Sequence, residues 1–97
     1  MEASAPTRGY TESKGAVLNR LRRIEGQVRG VAGMVEDDRY CIDVVTQITA
    51  IQAALDKVAL ELLEDHARHC VIGAEEARQD ERTVELMAAV RRLLRRG

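Results

Sequence analysis

Residues 41–71 read CIDVVTQITAIQAALDKVALELLEDHARHCV. Within them Ile48, Ile51, Leu55, Val58 and Leu62 recur at spacings of 3, 4, 3 and 4, the seam of a helix that buries one face. No Gly or Pro interrupts the run until Gly73. The spacing therefore predicts one helix of about 30 residues, near 45 Å long at 1.5 Å per residue. Such a length is unusual in a small monomer, so the seam is expected to find more cover than one short chain supplies.

Two shorter helices flank it. From Ala16 to Glu36 the apolar positions Leu21, Ile24, Val28, Val31 and Val35 repeat the 3, 4, 3, 4 spacing, with Ser13 placed as N-cap. Gly26, Gly30 and Gly33 share one face of this helix, as close packing against another helix would require. EDDRY (36–40) breaks the pattern. A third helix is expected from about Glu81 to Arg96, with Leu86, Met87, Val90, Leu93 and Leu94 as its apolar face. There is no strand signal and no internal repeat. The chain has 97 residues with no Phe and no Trp, so its core must come from Leu, Ile, Val and Ala, which suits helix seams. The fold class is all-α. Residues 1–12 read as a polar, flexible tail and 13–97 as one helical domain. No signal peptide and no run of transmembrane length appears, which points to a cytoplasmic protein with no membrane partner.

The ends of the long helix carry the chemistry. His66 and Cys70 stand four residues apart, on one helical face. The other cysteine, Cys41, is 25 residues from His66 and 29 from Cys70. On an uninterrupted helix those gaps are about 37 and 43 Å, whereas a metal–sulfur bond is about 2.3 Å. Cys41 can join the pair only from a second chain whose long helix runs antiparallel. The two-fold axis then falls near Ala53, Ala54 and Leu55, where small side chains let backbones approach. Two thiolates and one imidazole form a soft, three-coordinate set that favours Cu(I); Zn(II) would usually want a fourth ligand. The plain alternative is that both cysteines are small buried hydrophobes. His69 lies off the His66/Cys70 face and reads as a surface residue.

The formal net charge of −1 decides nothing about nucleic acid, but the charge is segregated. RLRRIEGQVR (20–29) holds four Arg against one Glu, and RRLLRR (91–96) adds four more. No nucleophile–base set, paired carboxylates or phosphate loop suggests an enzyme.

RLRRIEGQVRG (20–30), YCIDVVTQI (40–48) and LLEDHARHC (62–70) strongly resemble the copper-sensitive operon repressors, the CsoR/RcnR family of bacterial transcriptional regulators. The resemblance spans about residues 10–97 and weakens after Val71. It implies a three-helix protomer, an antiparallel dimer and a dimer-of-dimers homotetramer that binds double-stranded operator DNA without a helix-turn-helix motif. It implies Cu(I) held between protomers on Cys41, His66 and Cys70. The nickel/cobalt branch has His in place of Cys70, and the persulfide-sensing branch lacks His66. Cys, His, Cys thus points to the copper branch, with persulfide or redox sensing through Cys41 and Cys70 as the alternative. The family's outer partners of the ligand histidine, a Tyr and a Glu, match Tyr40 and, if the loop before the third helix is about three residues short, Glu85, with Glu81 as the alternative. Phosphate contacts are expected from Arg20, Arg22, Arg23, Arg29, Lys57 and Lys14, of which Arg20 and Lys57 match DNA-contacting positions of the family. The implied mechanism is release of DNA when Cu(I) binds.

Overall fold

The computed structural model describes residues 13–95. The expected tail, residues 1–12, and Arg96 lie outside them. Three α-helices run in the order α1 (Lys14–Glu36), α2 (Cys41–His66) and α3 (Glu76–Leu94), and a single turn of π-helix (Ala67–Ile72) follows α2 directly. Among the described residues there is no strand. No helix there is long and apolar enough to cross a membrane. The described residues divide into two compact units, 15–58 and 59–95 with 13–14.

In the 15–58 unit, α1 and the first part of α2 are joined by a turn that the sequence builds in a specific way. Arg39 N–H donates to Met34 O and Asp38 N–H to Val35 O, each at 3.0 Å. These are the two bonds of a Schellman motif, which stops a helix by turning one residue left-handed. That residue is Asp38, at φ 56°. Glycine usually holds this position; Asp is among the few side chains that tolerate it.

Four aliphatic side chains are buried: Val17 and Ile24 on α1, Ile51 and Val58 on α2. Each pair is seven residues apart, so alternate positions of each seam face inward. The intervening Leu21, Val28, Ile48 and Leu55 stay exposed. A Cβ added to Gly26, Gly30 or Gly33 would meet nothing within 4 Å. The close helix packing expected at these glycines is therefore not made among the described residues. Thr46 and Thr49 donate to the carbonyls of Ile42 and Val45, satisfying their hydroxyls along α2.

In the 59–95 unit, α3 packs against the π turn. It begins at Glu76, five residues before the expected Glu81. The added stretch EARQD is made mostly of good helix formers, and Arg78 N–H donates to Glu75 O at 2.8 Å to open the helix. The long central helix also differs from expectation at its end. It is α-helical only to His66, and residues 67–72 widen to i→i+5 bonding. Ser13, expected as N-cap of α1, directs its hydroxyl to the Asp65 carboxylate.

Candidate functional site

The π turn falls on the residues singled out for chemistry. His66 is its N-cap and Cys70 lies inside it. π turns are rare and concentrate at functional sites, because one residue of slack re-aims the side chains around it. Four residues still bring the helix nearly full circle at the wider pitch, so His66 and Cys70 keep a common face.

His66 is held on its other side by α3. Its Nε2 is buried and has no hydrogen-bond partner. Glu85 Oε1 stands 3.7 Å away, just beyond hydrogen-bond reach. The same oxygen accepts from Arg82 Nη1 at 3.3 Å. Glu81, the alternative carboxylate, is exposed one turn earlier on α3. Ala59, Leu62, Leu63, Leu86, Ala89 and Leu93 complete, with His66 and Glu85, an apolar groove of about 390 Å³. The Glu85 carboxylate stands at the mouth of this aliphatic groove with its side chain more than half exposed, while the imidazole is the more buried partner.

Cys70 is half-buried and free, and Cys41 is exposed and free. Cys70 lines a second pocket with His69, Arg78 and Arg82. Cys41 and Tyr40 sit at the opposite end of α2 from His66. Among the described residues no three His, Cys, Asp or Glu side chains group as a metal-binding set. Within the 59–95 unit His66 and Glu85 are neighbours, and Cys70 follows His66 by four residues on the π turn.

The basic residues separate into two faces. Arg20, Arg23, Ile24 and Gln27 of α1 and Ala54 and Lys57 of α2 line one pocket of about 270 Å³. Arg22 and Arg29, seven residues apart, share a face of α1 that points away from Arg20. Lys14 is exposed at the start of α1.

Sequence reasoning missed the junction between the π turn and α3. The Gln79 carboxamide donates to Ile72 O and to Ala74 O, both at 3.3 Å. Gly73 allows a close backbone approach, since a Cβ there would lie 3.0 Å from His69 O. The one available signal was Gly73 itself, the next glycine in the chain after Gly33.

Residues 13–92 match the metal-sensitive transcriptional repressor family. The chain belongs to this family. The repressor is 61% identical over 64 residues to the copper-sensing transcriptional repressor CsoR of Bacillus subtilis, covering 66% of this chain and 63% of that protein. It is 51% identical over 90 residues to the copper-sensing transcriptional repressor RicR of Mycobacterium tuberculosis, covering 90% of this chain and 94% of that protein. Among solved structures, the repressor is similar to the copper-sensing repressor CsoR with Cu(I) from Geobacillus thermodenitrificans, with a TM-score of 0.78 and 48% identity over 94% of this chain and 93% of that one. It is also similar to the nickel-responsive transcriptional regulator InrS, with a TM-score of 0.71 and 40% identity over 81% of this chain and 90% of that one. Members of the family are regulators of transcription, not enzymes. Relatives answering to different metals share this fold, so the metal has to be read from the donor set of the site.

Proposed function

We propose that this repressor binds operator DNA in its metal-free form and releases it on binding Cu(I), with Cys41 of one protomer and His66 and Cys70 of another as the ligands. One observation carries this reading: the buried, unpartnered Nε2 of His66, poised 3.7 Å from Glu85, on the residue that caps the π turn holding the free thiol of Cys70. A buried polar atom without a partner is uncommon in a folded protein and calls for one.

The donors fit Cu(I). Two thiolates and an imidazole are soft and few, which suits Cu(I) better than the nitrogen- and oxygen-rich sets of nickel or cobalt sites. With Nε2 near Glu85, Nδ1 is the ring nitrogen that would be left for a metal. Cys41 of one protomer and His66 and Cys70 of another would hold Cu(I), which would supply bonds to both chains. The rest is done by the chain. His66, as a ligand, would present Nε2–H to Glu85, whose oxygen stands 3.7 Å away. Glu85 exchanges part of its contact with Arg82 for that bond. α3 carries the change through the protomer. Tyr40 adjoins Cys41 in sequence and would reach the same ring from the partner protomer.

The exposed seam residues Leu21, Val28, Ile48 and Leu55 and the uncovered glycine face of α1 support assembly with further copies, as a dimer of dimers. The pocket of Arg20, Arg23 and Lys57 supports backbone phosphate contact. Zinc would usually want a fourth ligand, and nickel more nitrogen or oxygen donors.

Anaerobic fluorescence anisotropy on the protein's own upstream DNA, titrated with Cu(I), tests the reading. Dissociation complete at about one Cu(I) per protomer is expected. DNA binding that ignores Cu(I) but yields to persulfide would replace it with the sulfur-sensing reading.

A further inference from the structure

We infer that Gln79 is a positioning residue that ties the π turn to α3 and so sets how far the state of His66 and Cys70 reaches Glu85. The inference rests on the reading of the chain as a Cu(I)-released repressor.

A π turn ends, like any helix, with carbonyls that have no partner inside it. Here Ile72 O closes the turn and Ala74 O lies in the loop that follows. Gln79, in the first turns of α3, places both protons of one carboxamide on these two oxygens, each at 3.3 Å. One side chain thus bonds the end of the turn and the loop together, and fixes both to the helix that carries Glu85. The backbone is closely packed at the same point, where a Cβ on Gly73 would lie 3.0 Å from His69 O.

The contacts form a closed circuit. His66 caps the π turn, the turn ends at Ile72, Gln79 fastens that end to α3, and α3 returns Glu85 to within 3.7 Å of His66. Cys70 sits inside the circuit. A π turn has slack that an α turn lacks, so drawing His66 and Cys70 onto one metal changes its pitch. With Gln79 in place, that change moves α3 and closes the gap at Glu85. Without it, the loop 73–75 absorbs the motion.

The test compares the full chain with Gln79→Leu, which keeps bulk and removes both donors, and Gln79→Glu, which keeps shape and sets a carboxylate against two carbonyls. Far-UV circular dichroism establishes that each folds, and Gln79→Glu stands in if the leucine variant does not. In the metal-free protein, hydrogen exchange at residues 72–76 is expected to quicken about tenfold in the variants with α1 unchanged, and the wild-type Gln79 carboxamide protons to exchange slowly. Cu(I) affinity and metal-free DNA affinity are expected to stay within about twofold of wild type, while the ratio of DNA affinities without and with Cu(I) falls about tenfold, within the usual span of allosteric coupling. Wild-type exchange rates at 72–76 in the variants overturn the fastening itself. Intact coupling in variants with quickened exchange overturns its role. Wild-type protein that keeps its DNA in Cu(I) overturns the functional reading instead, while the exchange measurement still decides the fastening.

Discussion

Glu85 shows how much can rest on one side chain. Its Oε1 is offered to Arg82 at 3.3 Å and to the His66 Nε2 at 3.7 Å. Its bond to Arg82 is partly exposed and worth little for stability. Replacing Glu85 by Ala should therefore leave the melting temperature almost unchanged. It should also leave Cu(I) binding within the cost of about 10–100-fold that loss of an outer partner carries. DNA release should suffer most, with the coupling falling from the typical range of about 1–3 kcal/mol towards zero. Parallel Cu(I) competition titrations and DNA anisotropy separate the two effects. Full DNA release by the variant at saturating Cu(I) would remove Glu85 from the mechanism. Asp38 offers a contrasting single-residue test, one of stability alone. Its φ of 56° strains any side chain with a Cβ. Asp38→Gly should stabilise the protein by about 0.5–1 kcal/mol and Asp38→Val should destabilise it by more than about 1 kcal/mol, as read by thermal denaturation. Equal melting temperatures would mean that the turn relaxes freely.

At the scale of elements, the three helices were legible because Leu21, Ile24, Ile51, Leu55 and Val58 repeat with helical spacing, and because EDDRY could not continue it. Which seam residues turn inward was not legible. Val17 with Ile24 and Ile51 with Val58 are buried while their neighbours on the same stripe are not, a choice made by the pairing of two helices and not by either alone. The start of α3 is not legible because EEARQDE carries no apolar period; its helicity follows from propensity and from the bonds around Glu75 and Gln79. The π turn left no trace in composition: HARHCVI would serve an α-helix as well. The candidate ligands remain a proposal drawn from spacing and resemblance, since Cys41 cannot share an unbroken α2 with His66 and still meet it within one chain. Glu85 was selected over Glu81 only through resemblance and an assumed short loop; the closeness of its oxygen to His66 is a matter of α3 placement, which no local pattern encodes. Gly73→Ala checks that placement. A Cβ there must displace His69 O, so a destabilisation of about 1 kcal/mol is expected, with weaker protection of the amides of 67–76 from exchange.

For the whole molecule, only four side chains form the buried core and no side chain is fully enclosed among the described residues. The proposed inter-chain site and the thin core agree: the exposed half of each seam would be covered by another copy. Complementation tests this directly. Cys41→Ala and Cys70→Ala chains should each fail to respond to Cu(I) as homo-oligomers. Mixed dimers regain one intact site of two and make up half of the dimers after random exchange of an equal mixture, so about a quarter of the wild-type Cu(I) stoichiometry should return on mixing. No recovery after verified subunit exchange would exclude an inter-chain site. The DNA face has its own test. Removing one phosphate-neutralising cation lowers the slope of log affinity against log salt by about 0.9. Arg20→Ala with Lys57→Ala should lower it by about 2, and Arg22→Ala with Arg29→Ala, on the other face of α1, by less than half of that. A core assembled without Phe or Trp has one more outcome, an optical one. Tyr10 and Tyr40 are the only tyrosines in a sequence that has neither of those residues, and Tyr40 stands exposed beside Cys41. With Tyr10→Phe, the tyrosine emission of the protein comes from a single phenol next to one proposed ligand, so the regulator carries a built-in, label-free gauge of its own occupancy.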